Sequence, residues 1–358
     1  MTTSAATGAS AAPGQTPRQV PREATTAGFT AMQLPGADLP PGARLRFTKG
    51  HGTQNDFVLI DDRAAELDLT PELVRALTDR RAGIGADGVI RVVPTAAIPE
   101  GAAILAAEPT ATWFMDYRNG DGSVAEMCGN GVRVFGAFLE RIGLARIPVP
   151  RGDDADDGDV TTGLLVGTRA GVRRIRREPS GWYAVDMGPW ALTGGPGAAI
   201  DGADAEVTVA GLDVPRPGLS VDVGNPHTVL ALADETELAA ADLSRAPVVR
   251  PVPAGGSNVE LVVPLGEETD EAGSVVGRLR MRVHERGVGE TRSCGTGACA
   301  AALAVRTWAG AGAPDVWLVE VPGGTVRVSV LDSGHVELAG PAELVAEGEI
   351  DLVALLGR

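Results

Sequence analysis

The sequence predicts an α/β (α+β) chain built from two similar halves, and three observations carry that prediction. Short strand-like runs alternate with single helical runs along the chain, the pattern of a sheet packed on helices. The segment from Glu126 to Gly136 reads EMCGNGVRVFG, and that from Ser293 to Leu303 reads SCGTGACAAAL; each sets a cysteine before Gly-x-Gly and an apolar run of helical character. The chain has 358 residues, of which 44% are hydrophobic, enough for two domains with a sizeable core.

Taken in order, residues 1–43 hold six Pro, five Gly, ten Ala and nine Ser or Thr, and are expected to be a disordered tail. The tail lacks a charged segment leading into a continuous apolar one, so a secretory signal is not expected. RLRFTKGHGTQNDFVLIDD, from Arg44, has strand-like ends around a Gly-rich loop. TPELVRALTDRRAGIGADGVIRVV predicts a helix opened by Thr70 and Pro71, then a Gly turn and a strand. Two inserts, PTAAIPEGAAILAAEPT and RGDDADDGD, are expected to be surface loops. The five Asp of the second lack the regular ligand spacing and Gly turn of a hard-cation loop.

Charge and composition exclude several classes. A formal net charge of -16 argues against a nucleic-acid or anionic-membrane partner. No run of about 20 apolar residues is present to span a membrane, and three cysteines in this length do not make a disulfide framework. A reducing, cytoplasmic setting is therefore expected. Lys49 is the single lysine, so it alone could form the Schiff base that a pyridoxal enzyme requires. His51, His284 and His335 show no ligand spacing with the cysteines, and no metal is expected.

The repeat carries the chemistry. Upstream of Cys128 stands YRNGDGSVAEM and upstream of Cys294 stands HERGVGETRS, each with an arginine, then Gly-x-Gly, then an acidic residue. A cysteine opening a helix has its sulfur near the positive end of the dipole and near unpaired N–H groups, which should lower its pKa. Two such helix starts could bind one carboxylate between them. Inverting a stereocentre needs a base on one face and an acid on the other, and thiols with pKa values near the working pH suit both tasks. Cys299, inside the second helical run among alanines, is read as packing.

These motifs resemble the diaminopimelate epimerase family, pyridoxal-independent enzymes that interconvert LL- and meso-2,6-diaminopimelate in lysine and cell-wall synthesis. The resemblance runs from about Arg44 to the C-terminus through HGTQNDF, GIGADG, RNGDGS, MCGNG, GNPH, SNVE, ERGVGET and SCGTGACA, in family order. It implies that Cys128 and Cys294 are the acid/base thiols. It also implies that Gly129, Asn130, Gly295 and Thr296 offer helix-start donors to the reacting carboxylate. Asn55, Asn119, Asn225, Asn258, Glu285 and Arg286 match substrate-contacting positions, with His227 and Glu285 as assisting groups. Arg286 is the natural fork for the distal carboxylate. Gly88 departs from the family, many members of which carry Gln there, so any contact from that side chain is absent.

The resemblance further implies two similar domains, each a mixed sheet wrapped on a central helix, related by a pseudo-twofold axis with the site in the cleft between them. Residues 44–168 plus 345–358 are expected to form one domain and 169–344 the other. No cofactor is expected, the partner is a small molecule, and a homodimer is compatible with the chain. Three other readings stay open: a proline or hydroxyproline racemase, a dithiol redox protein and a non-catalytic amino-acid binder. The first resembles CGHG at the first cysteine where this chain has Asn130. The second lacks Cys-x-x-Cys, since the paired cysteines stand 166 residues apart, and the third needs no pair of thiols.

Overall fold

The computed structural model describes residues 42–149, 163–270 and 273–357. The expected tail, apart from its last two residues, and the insert RGDDADDGD lie outside them. Two helices organise the architecture, Gly129–Arg141 and Gly295–Ala309, here called the first and second core helices. Both are buried along most of their length, because Gly, Ala, Val, Leu and Phe occupy nearly every face instead of a single stripe. A helix apolar all round needs a sheet on every side.

Each helix has one. Around the first, the strands Glu343–Asp351, Arg44–Gly52, Asn55–Asp61, Gly88–Pro94, Trp113–Asn119, Leu164–Thr168, Gly171–Arg177 and Tyr183–Pro189 pair in that lateral order. Around the second, the order is Ala191–Leu192, Arg216–Asp222, Pro226–Ala231, Asn258–Thr269, Val275–Glu285, Val316–Val321, Gly324–Val330 and His335–Gly340. The sense of pairing follows the same sequence in both series: two antiparallel pairs, one parallel, one antiparallel, one parallel and two antiparallel. The halves are thus topological copies, joined edge to edge where Tyr183–Pro189 runs antiparallel to His335–Gly340. The end of the chain returns to the first half, pairing Glu343–Asp351 with Arg44–Gly52.

Gly171–Arg177 and Tyr183–Pro189 lie beyond the expected boundary at residue 168, yet both pack on the first core helix. We therefore propose a division of the halves near Pro189. Two local expectations are corrected. The insert beginning at Pro94 is not a plain loop: Gly101–Ala107 is helical, and Ile98 and Ile104 are buried with Phe114. Its alanine-rich run already had helix propensity. The Gly-rich loop after Arg44 is much tighter than expected, since the strand continues to Gly52 and reverses at Thr53 and Gln54, with φ of 49° and 64°. That is the primed two-residue turn of a hairpin. The expected helix at Thr70 and Pro71 is present as Pro71–Thr78, capped by Thr70 Oγ1, which accepts from Leu73 N. No helix among the described residues is long and apolar enough to cross a membrane.

Candidate active site

The two core helices meet at their N-termini. A Cβ placed on Gly295 would lie 3.3 Å from both the backbone nitrogen of Asn130 and the Cα of Gly129, so glycine gives this close approach its room. The capping residue of each helix is a cysteine: Cys128 Sγ accepts from Gly131 N at 3.4 Å and Cys294 Sγ from Gly297 N at 3.3 Å. The remaining N–H groups of each first turn lack helical carbonyl partners, and so face the same small region with partial positive charge.

Side chains from both halves tie this junction together. Asn55, just after the hairpin turn, accepts from Cys128 Sγ at 3.4 Å and from Asn130 Nδ2 at 3.3 Å, and donates through Nδ2 to Asp87 at 2.8 Å. Asn130 is fully buried and also donates to the Ser293 hydroxyl at 3.1 Å and to its carbonyl at 3.2 Å. Ser293 Oγ lies 2.6 Å from Thr53 Oγ1, while Arg133 Nη2 donates to Asn130 Oδ1 at 2.9 Å. The Asn130 side chain is therefore committed to joining the halves.

The second half supplies the groups around Cys294. His227 Nδ1 lies 2.7 Å from Glu260 Oε1, and its Nε2 lies 3.0 Å from Asn225 Oδ1. Both side chains of the His227–Glu260 pair have zero exposure. Glu260 Oε1 abuts the first turn of the second core helix, 2.7 Å from where a Cβ on Gly297 would stand. Asn258 accepts from Arg286 N at 2.9 Å and donates to the carbonyl of Pro226 at 3.3 Å. Glu285 is half-buried and accepts from the Thr291 hydroxyl. The exposed Arg286 guanidinium donates to the Gly255 carbonyl and has no carboxylate partner among the described residues. Asn119 Nδ2 bonds Ser123 Oγ within its own turn at 3.0 Å.

Electrostatics overturn one expectation. Burial pushes the Cys128 thiol up to about 11, with Glu285 adding to the rise; the N–H donors of the first turn and the charge of Arg133 only partly oppose it. Burial also raises Cys294 well above the usual range, helped by Glu285 and Glu260. The helix starts do not lower the thiols here, because desolvation outweighs the dipole. Burial raises Glu285 too, and it bears on both cysteines. Farther out, burial disfavours ionisation of Asp56, but Arg80 and Lys49 overcome it and hold that carboxyl at about 2. Lys49 Nζ is bound to Asp56 at 2.6 Å and to the Gly85 carbonyl.

Sequence reasoning missed Glu260, Thr53, Ser293, Arg133 and Asp87. Glu260 had a signal, since it stands two residues after Asn258 in a strand and so on the same face. Ser293 and Asp87 lie inside motifs already singled out. Arg133 had none, because an arginine in an apolar helix reads as surface until the sheet around it is known.

A family model described as diaminopimelate epimerase matches residues 47–193 and 219–345. The chain belongs to the diaminopimelate epimerase family. The two matched segments cover both halves and both cysteine motifs. The diaminopimelate epimerase of Streptomyces coelicolor is 46% identical over 321 residues, covering 88% of this chain and 98% of the relative. That of Thermobifida fusca is 46% identical over 315 residues, covering 87% and 100%. Among solved structures, a phenazine biosynthesis protein of the PhzF family from Bacillus anthracis superposes with a TM-score of 0.54 at 16% identity, covering 86% of this chain and 99% of the other. A hydroxyproline epimerase from Agrobacterium vitis gives 0.50 at 14% identity, covering 86% and 93%. At such identities these two share the diaminopimelate epimerase fold and nothing more is read from them.

Proposed function

We propose that the protein interconverts LL- and meso-2,6-diaminopimelate, the step that the diaminopimelate epimerase relatives are named for, by proton transfer at one α-carbon between two thiols. The observation that carries the mechanism is the abutment of two cysteine-capped helix N-termini. The α-carboxylate lies against the N–H groups of Gly129, Asn130, Gly295 and Thr296, which stabilise the negative charge that grows as the α-proton leaves. One cysteine, as thiolate, takes the proton from one face; the other, as thiol, gives its proton to the opposite face. The C–H pair is left on carbon and returns to a new C–H bond, so the reaction consumes no oxidant and leaves one thiol and one thiolate exchanged. Because burial raises both thiols, the base form arises on binding, when one thiol gives its proton to solvent as the substrate ammonium adds a positive charge beside the sulfurs. Glu285, whose charge raises both thiols, is the natural partner of that ammonium. The His227–Glu260 pair and Asn225 fix the second half of the pocket next to Cys294, and Asn55, Asn119 and Asn258 complete its polar lining.

Chiral chromatography of reduced protein with LL-diaminopimelate should show the meso isomer accumulating. Epimerisation of proline or hydroxyproline in place of diaminopimelate would refute the substrate assignment.

Turnover should need neither pyridoxal nor metal. The single lysine is engaged by Asp56 and Gly85, and the described residues contain no cluster of three His, Cys, Asp or Glu able to hold a metal ion. Activity should survive dialysis against EDTA and preparation without pyridoxal; loss restored by added metal would overturn this.

Arg286 is the proposed fork for the distal carboxylate. Arg286→Lys keeps the charge and loses the planar pair of donors, so substrate binding should weaken by roughly 1 to 3 kcal/mol. An unchanged KM would place the distal carboxylate elsewhere.

A further inference from the structure

The strand Trp113–Asn119 brings Tyr117 against Gly88. A Cβ built on Gly88 would lie 2.5 Å from the Arg118 carbonyl oxygen, 2.6 Å from a ring carbon of Tyr117 and 3.2 Å from its hydroxyl. No side chain fits at Gly88, and the tyrosine occupies the space one would need. The ring is held edge-on against Phe57, with centroids 5.8 Å apart and an interplanar angle of 80°. Tyr117 is only 7% exposed.

Its hydroxyl, however, is not used by the protein. It makes no hydrogen bond among the described residues, and it is not among the side-chain atoms sealed from solvent without a partner. A hydroxyl on a clamped, buried ring that keeps an opening without a protein partner is built to meet something else. Burial, and then the charges of Cys128, Glu285, Asp87 and Asp121, keep the phenol protonated and therefore a donor, with Cys128 and Glu285 among its neighbours. Cys128 and Glu285 are the groups assigned above to the reacting end of the substrate.

We propose that Tyr117 is a substrate-contacting residue, whose hydroxyl hydrogen-bonds bound diaminopimelate on the Cys128 side of the cleft. This rests on the function proposed above and adds a contact to it. Among acidic neighbours, a neutral donor can approach a substrate carboxylate without the cost of placing another full charge there.

The chain contains two tyrosines, which makes a direct test practical. The other, Tyr183, spends its hydroxyl on Glu140 at 2.7 Å. Protein labelled with 3-fluorotyrosine should give two fluorine resonances, assigned by Tyr117→Phe and Tyr183→Phe. Saturating LL-diaminopimelate should move the Tyr117 resonance and leave that of Tyr183 in place. In kinetics, Tyr117→Phe should raise KM roughly 3- to 10-fold, the scale of one neutral hydrogen bond, with kcat changed less than about twofold and the melting temperature preserved. A Tyr117 resonance that stays at its free position while the same preparation turns the substrate over would overturn the assignment, as would an unchanged KM in folded Tyr117→Phe. Failure of the wild-type protein to convert LL-diaminopimelate at all would instead overturn the function on which the assignment rests.

Discussion

Alanine at either Cys128 or Cys294 is expected to abolish conversion of LL- to meso-diaminopimelate, a loss of at least ~10²- to 10⁴-fold, the usual contribution of one positioned acid or base. The two helices deliver their capping sulfurs to one junction from opposite halves of a duplicated fold, so in the proposed mechanism each sulfur serves one face of the α-carbon. With one removed, the remaining thiol still has a carboxylate cradle beside it. Each single variant should therefore exchange the α-hydrogen of one stereoisomer with solvent and return it to the same face. In deuterated water the wild-type protein should place deuterium at the inverted centre on the first turnover, because an S–H proton exchanges before substrate arrives. Mass and chiral analysis of single-turnover product separates these outcomes. Near wild-type inversion by Cys128→Ala or Cys294→Ala would sink the two-base reading and leave the paired cysteines as caps alone.

The duplication was legible because it is written locally. In Cys-Gly-x-Gly the glycine gives two helix starts room to touch, and the Gly295 approach to Gly129 and Asn130 is the physical content of that motif. The proposed division near Pro189 was not legible. It depends on which helix the strands Gly171–Arg177 and Tyr183–Pro189 cover, a tertiary choice that their own residues do not encode. The thiol ionisation was misjudged for a related reason. A helix start is visible in sequence and predicts a lowered pKa, whereas desolvation and the nearness of Glu285 and Glu260 exist only once strands distant in sequence have closed over the sulfurs. Arg133 shows the same limit from the other side. It is fully buried, bonds Asn130 at 2.9 Å, and links the first core helix to the hairpin residue Thr53 at 3.5 Å, a set of partners that no local pattern announces.

The largest stability effect is expected at Glu260. Its Oε1 is bound to His227 Nδ1 at 2.7 Å with both side chains sealed from water, while its Oε2 has no partner among the described residues. Glu260→Leu keeps comparable bulk but leaves the imidazole nitrogen without its partner, and removal of one member of a buried pair costs about 3 to 5 kcal/mol. Glu260→Gln keeps a carbonyl oxygen to accept from Nδ1–H and should cost less, roughly 1 to 3 kcal/mol. The double variant His227→Leu with Glu260→Leu removes both polar groups together, so it should recover part of the loss. An apolar pair needs no partners, and a half-satisfied one is not a strong source of stability. Such recovery would imply that the pair is retained for the site and not for the fold. The electrostatic consequence points the same way: without the Glu260 charge, Cys294 should ionise at lower pH than in the wild-type protein. Urea unfolding of the three variants, together with the pH dependence of Cys294 alkylation in folded Glu260→Gln, measures both effects. Wild-type stability in Glu260→Leu, or an alkylation profile unmoved by the lost charge, would show that Glu260 neither anchors His227 nor acts on the thiol.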